Sequence, residues 1–202
     1  PLTEYSTTDY TAIVGTILSD GSKLEFNYTN NRQDKVGYPG LTMDIVYSYT
    51  DMYTLKYQRA TPFMIFSSMN IDLFNTDIDH LMDNVVLRGN SGNGVMAWPT
   101  ASDTYGGRII GTIGSDMRAG IDYEHNRKDA EQNMVMSGSN KFLTYLWPGV
   151  ETEKLGIFFE KDLGNISYGL RYDQVELDPT QADLVAGGMM FKTANEVYST
   201  VY

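Results

Sequence analysis

Asp77-Ile78-Asp79-His80-Leu81-Met82-Asp83-Asn84 places one of the chain's two histidines two residues from a methionine. In an extended strand, side chains at i and i+2 project from the same face. His80 and Met82 could then meet one ion, an imidazole nitrogen beside a thioether sulfur. Thioethers are soft ligands that favour Cu(I), and imidazole suits copper as well as zinc. The structural alternative is plain: His80 caps a strand and Met82 packs. Asp77, Asp79 and Asp83 would raise the local cation concentration. They are hard ligands suited to Mg²⁺ or Ca²⁺, so no Cu(I) bond is assigned to them.

Other candidates are weaker. Met134 and Met136, in Gln132-Asn133-Met134-Val135-Met136-Ser137-Gly138, could offer Cu(I) a transient stop, or be exposed loop methionines without a role. Met43 carries the same two readings. Met64, Met69, Met189 and Met190 are expected to pack. His125, between Glu124 and Asn126, is expected to be a solvated histidine at a strand end. Neither histidine sits in the serine and carboxylate setting that nucleophilic catalysis needs. Gly106-Gly107 and Gly187-Gly188 lack the Lys-Ser/Thr and helix of a phosphate loop. No enzyme is expected.

These residues must be positioned by strands. Leu24, Phe26 and Tyr28 alternate with Glu25 and Asn27. Tyr53, Leu55 and Tyr57 alternate with Thr54 and Lys56, and Ala119, Ile121 and Tyr123 with Gly120 and Asp122. Leu155, Ile157 and Phe159 alternate with Gly156, and Ile166, Tyr168, Leu170 and Tyr172 with Ser167, Gly169 and Arg171. This is period two, with almost no helical competitor. Segments around 9–19, 69–83, 104–115 and 189–202 extend the series, so roughly eight to ten strands are expected.

The 202 residues include 15 tyrosines, 19 glycines and 11 methionines, and no cysteine. There is thus no disulfide framework, thiolate metal site or cysteine nucleophile. The net charge of −11 argues against nucleic acid, which requires clustered Lys and Arg. No apolar run is long enough for a membrane helix. Pro1-Leu2-Thr3-Glu4 does not open a signal peptide, so the N-terminus is expected to be that of a mature protein or a fragment.

Alternation alone fits either a soluble sandwich or an outer-membrane barrel. Tyrosines closing the apolar series (Tyr28, Tyr57, Tyr123, Tyr172) favour the barrel, as do links of alternating length. Asp162-Leu163-Gly164-Asn165 and Gly114-Ser115-Asp116-Met117 read as tight turns. Residues 31–49, 84–103, 126–149 and 174–188 read as long polar loops. Phe74, Thr76 and Ile78 share the parity of His80 and Met82, while Asp77, Asp79 and Asp83 lie on the other, so simple alternation would turn His80 toward lipid unless a β-bulge, or the emergence of the strand above the membrane, re-aims it.

Several strings, in order, resemble TonB-dependent outer-membrane receptors of the copper type. They are Asn30-Asn31-Arg32 with Tyr38-Pro39-Gly40-Leu41-Thr42-Met43-Asp44, then Asp79-His80-Leu81-Met82-Asp83-Asn84 and Asp103-Thr104-Tyr105-Gly106-Gly107-Arg108. Asn126-Arg127-Lys128-Asp129-Ala130, Leu146-Trp147-Pro148-Gly149-Val150-Glu151 and Gly169-Leu170-Arg171-Tyr172-Asp173 follow. The last string is common to such receptors generally, whereas Asp-His-x-Met-Asp-Asn is more specific.

The resemblance implies an all-β, antiparallel transmembrane β-barrel of about 22 strands with a plug in its lumen. Residues 1–202 would supply a section of that barrel and no plug. It implies localisation in the cell outer membrane, contact with outer-membrane lipid, and a TonB complex acting through a plug segment outside this chain. It implies that His80 and Met82 are copper ligands, completed by a Cys-x-x-x-Met pair from the plug. Copper would be cargo, not a catalytic cofactor. Two other readings stay open: a small complete outer-membrane barrel serving as an adhesin or structural protein, and a secreted β-sandwich binding module.

Overall fold

The computed structural model describes residues 5–89, 94–135, 141–179, 185–186 and 189–190. The alternating segments form eight long strands: β1 (Ser6–Ile17), β2 (Lys23–Val36), β3 (Asp44–Arg59), β4 (Ser68–Asp83), β5 (Val95–Ile113), β6 (Met117–Val135), β7 (Lys141–Asp162) and β8 (Ser167–Pro179). Each pairs antiparallel with the next, in one meander from β1 to β8. Two further pieces, β9 (Val185–Ala186) and β10 (Met189–Met190), pair only with each other. The eight-stranded sheet is not closed on itself, and β1 and β8 are its edges.

Links at one end of the sheet are short because their residues permit tight reversals. Gly114 (φ 64°) and Gly164 (φ 69°) occupy the left-handed region that glycine enters without penalty. Leu163 N–H donates to the Ile166 carbonyl at 2.7 Å, closing the β7–β8 turn. Toward the other end the expected long loops are largely strand. Much of 31–49, 84–103 and 126–149 belongs to β2, β3, β5, β6 and β7. Runs rich in Asn, Asp and Lys look like loop in one dimension, but their backbone groups are paired with neighbouring strands. Strands reach 22 residues in β7, twice the roughly 9–11 that cross a bilayer.

Register shows two different faces. On one, Leu24, Tyr57, Ile71, Ile109, Ile121, Ile157 and Tyr172 lie directly opposite one another from β2 to β8. Val14, Phe26, Leu55 and Leu73 form the adjacent row. An aromatic row follows, Tyr28, Tyr53, Asn75, Tyr105 and His125, in which Tyr28 stacks on Tyr53 at 5.0 Å and Tyr105 on His125 at 4.8 Å. The opposite face carries Glu25, Lys56, Asp72, Arg108 and Asp122 in one cross-strand row. There Arg171 grips Asp122 at 2.9 Å and Arg108 approaches it at 3.7 Å.

The apolar face is uncovered. Leu73 is 47% exposed, Ile157 51% and Leu170 76%. Among the described residues the buried apolar side chains are Met43, Ile45, Ala130 and Val150, which make no second layer. A sandwich would cover that face with another sheet. Among the described residues the only further sheet is the two-residue pairing of β9 with β10.

Candidate metal site

β4 places His80 and Met82 on one face, as strand geometry demands. That face is the charged one. His80 pairs with Ser48 and Thr100, and Met82 with Ile45 and Trp98. Further along the same side of β4 stand Ile78, Thr76, Phe74 and Asp72, the last opposite Lys56 and Arg108. The expectation that simple alternation would aim His80 with the apolar set is corrected here. Phe74 misleads because its ring fits a notch on the polar face: a Cβ at Gly106 would lie 2.8 Å from Phe74 Cζ. A bulge does separate Ile45 from Tyr47 in β3, but β4 needs none to orient His80.

His80 lies five residues beyond the aromatic row, outside the apolar band. Its Nε2 is buried and has no hydrogen-bond partner, and the same holds for Trp98 Nε1 on the adjoining strand. Burial pushes the His80 pKa below the usual imidazole range, with Asp79 opposing in part. The ring is therefore held neutral, with the nitrogen farther from the backbone unclaimed. A neutral imidazole is the form that ligates metals. Among the described residues, no group of three or more His, Cys, Asp or Glu side chains is arranged to hold a metal ion. His80 and Met82 would need ligands from elsewhere.

Sequence reasoning missed two neighbours. Trp98 and Met96 lie on the same side of β5, and Met134 on β6 is directly opposite Met96. Cross-strand neighbours sit about 4.5–5.5 Å apart at Cβ and diagonal ones about 7–8 Å. Met82, Met96 and Met134 thus step across three strands on one face. The signal was a methionine at matching cross-strand register, invisible without the pairing. Met136 lies outside the described residues.

Asp77 and Asp79 project from the opposite face, where Asp77 lies between Asp51 and Asp103. Asp83 Oδ1 accepts the Val85 and Val86 N–H groups at 3.1 and 3.0 Å, capping the turn after β4. Asn84 closes the neck of that loop: its Nδ2 donates to the Gly94 carbonyl at 2.8 Å, and its Oδ1 accepts Met96 N–H at 2.9 Å.

Met43 is buried at 4% exposure and is a packing residue, not an exposed stop for an ion. Beside it Asp44 is 1% exposed. Arg88 holds it with two bonds, Nε to Oδ2 at 2.6 Å and Nη2 to Oδ1 at 2.7 Å, and Tyr38 N–H adds a third at 2.7 Å. The loop after β2 is thereby tied to the loop after β4. Arg88 and then the Tyr38 amide hold the Asp44 carboxyl below the usual carboxylate range, against burial. His125, expected at a strand end, stands inside β6 in the aromatic row, with Nδ1 3.5 Å from Glu153 Oε1.

A one-layer antiparallel meander with an uncovered apolar face and a salt-bridged opposite face is the architecture of a β-barrel wall. The solved structures support that class. The fold is similar to that of a protein described as copper transporter OprC, with a TM-score of 0.74 and 19% sequence identity. The match covers 94% of this chain and 32% of that protein, so this chain spans about a third of its length. No family model matches the chain. No curated protein sequence matches it either.

Proposed function

We propose that this chain forms part of the barrel wall of an outer-membrane TonB-dependent transporter that imports copper. In this reading the apolar face meets lipid and the ion-paired face lines the lumen. His80 and Met82 project into that lumen above the lipid band and bind copper, with further ligands supplied from a plug outside this chain. Met96 and Met134 offer soft contacts beside them. Energy delivered by a TonB complex then moves the plug and releases the ion. No bond is made or broken in the cargo, so the chain needs no catalytic group.

The observation that carries the reading is the buried, unpartnered Nε2 of His80 on the same face as Met82. A buried nitrogen left without a partner costs desolvation energy that an ion would recover. The thioether beside it selects a soft metal. The likeness to a copper transporter's fold supports the setting.

The test is copper binding to the complete protein carrying His80→Ala or Met82→Ala. Each substitution is expected to weaken binding by at least about tenfold, corresponding to about 1.4 kcal/mol. Unchanged affinity in both would remove the site and leave the barrel untouched.

A further inference from the structure

The link from β3 to β4, residues 60–67, is the most apolar of the short links, with Phe63-Met64-Ile65-Phe66 in succession. It does not trail into solvent. Phe63 N–H donates to the Phe66 carbonyl at 2.8 Å, and Phe66 N–H donates back at 3.0 Å, pinching the segment into a tight loop. Ser67 N–H donates to the Thr112 carbonyl at 2.8 Å, and its hydroxyl donates to the Gly114 carbonyl at 2.7 Å. Met64 holds φ 54°, a left-handed conformation that a side chain rarely adopts. The pinch thus drives three large apolar side chains outward: Phe63 is 45% exposed, Met64 84% and Ile65 68%.

The direction of the loop is set by two contacts. A Cβ at Gly111 would overlap the Phe66 ring. Gly111 shares its side of β5 with Ile109, so Phe66 lies on the apolar face. At the other flank, the Arg59 guanidinium sits 4.9 Å from the Phe63 ring centroid and pairs with Asp20 at 2.9 Å. Arg59 is opposite Met69 on that same face. The loop is therefore a fold-back onto the lower margin of the apolar band, with a cation at its edge. By contrast, the link at 114–116 is Gly-Ser-Asp.

From this we infer that residues 63–66 are a membrane-interface anchor, docked into the phospholipid leaflet at the short-turn end of the sheet. The occupant is lipid because the Phe66 ring lies on the apolar face with Phe63, Met64 and Ile65 exposed beside it, and because Arg59 flanks the loop on that face with a cation for headgroup phosphates. The inference rests on the membrane reading of that face proposed above. In its terms the loop fixes the depth and tilt of β3 and β4, the strand bearing His80 and Met82.

The experiment is nitroxide accessibility in vesicles of phosphatidylethanolamine and phosphatidylglycerol. Labels are placed through Met64→Cys and Ile65→Cys, with Leu73→Cys in the apolar band and Leu41→Cys beyond it as references. The unsubstituted protein supplies the labelling background. Met64 and Ile65 are exposed, so two independent positions report without disturbing packing. Oxygen should broaden the signal more than a water-soluble nickel chelate at 73, less decisively but in the same direction at 64 and 65, and the reverse at 41. A label at 64 and 65 that behaves like 41, while 73 remains lipid-like, overturns the anchor alone. If 73 also behaves like 41, the membrane reading falls first and the anchor with it.

Discussion

Replacing Arg88 with alanine should loosen the two loops that flank the candidate copper site. The Asp44 side chain is 2% exposed, whereas that of Arg88 is 25% exposed. Removing the arginine therefore strands a carboxylate in a place water hardly reaches, while removing the aspartate leaves a cation that solvent can still satisfy. Removing the partner of a buried charge costs about 3–5 kcal/mol. At about 1.4 kcal/mol per power of ten, local opening should become some two to three and a half powers of ten more frequent.

Hydrogen exchange reads this directly. Tyr38 N–H, bonded to Asp44, and Met96 N–H, bonded to Asn84 at the loop neck, should lose protection in Arg88→Ala. Amides of the Leu24–Tyr57–Ile71 row should keep theirs. Asp44→Ala should cost less than Arg88→Ala, and the apolar pair Asp44→Leu with Arg88→Met less again, since no charge is left orphaned. Equal losses in both single variants, or no loss at Tyr38, would refute the reasoning. The acid response has a defined sign. The Asp44 pKa is held below its ordinary 3.8, so the clamp's contribution is complete above that value and is lost as pH falls through the depressed one.

Met82→Leu keeps apolar volume without the sulfur; copper affinity should fall while melting temperature stays within a few degrees, and retained affinity would show that Met82 only packs. Burial holds the His80 pKa below its ordinary 6.5, so loss of copper affinity to protonation should be centred below the pH at which a free imidazole titrates; a decline centred above 6.5 in a proton-competition titration would contradict a buried, neutral ligand. Gly106→Ala should destabilise the β4–β5–β6 region by about 1–3 kcal/mol, because the new methyl meets the Phe74 ring and the Tyr123 carbonyl; an unchanged denaturation midpoint would disprove the notch.

The sequence by itself determined the strand class, the tight turns and the co-facial placement of His80 and Met82. Each follows from a short-range rule: side chains two apart share a face, and Gly114 and Gly164 reverse the chain where a side chain would strain it. It could not say which face His80 takes, because Phe74 and Ile78 on the same parity read as apolar. That was decided largely by Lys56, Arg108 and Asp122, distant in sequence, which register places in one cross-strand row with Asp72. The same physics hid Met96 and its place opposite Met134, buried Met43, and turned polar stretches that looked like loops into strand. A pattern of period two specifies two faces; only the pairing of strands tells which one a given residue shares, and with whom.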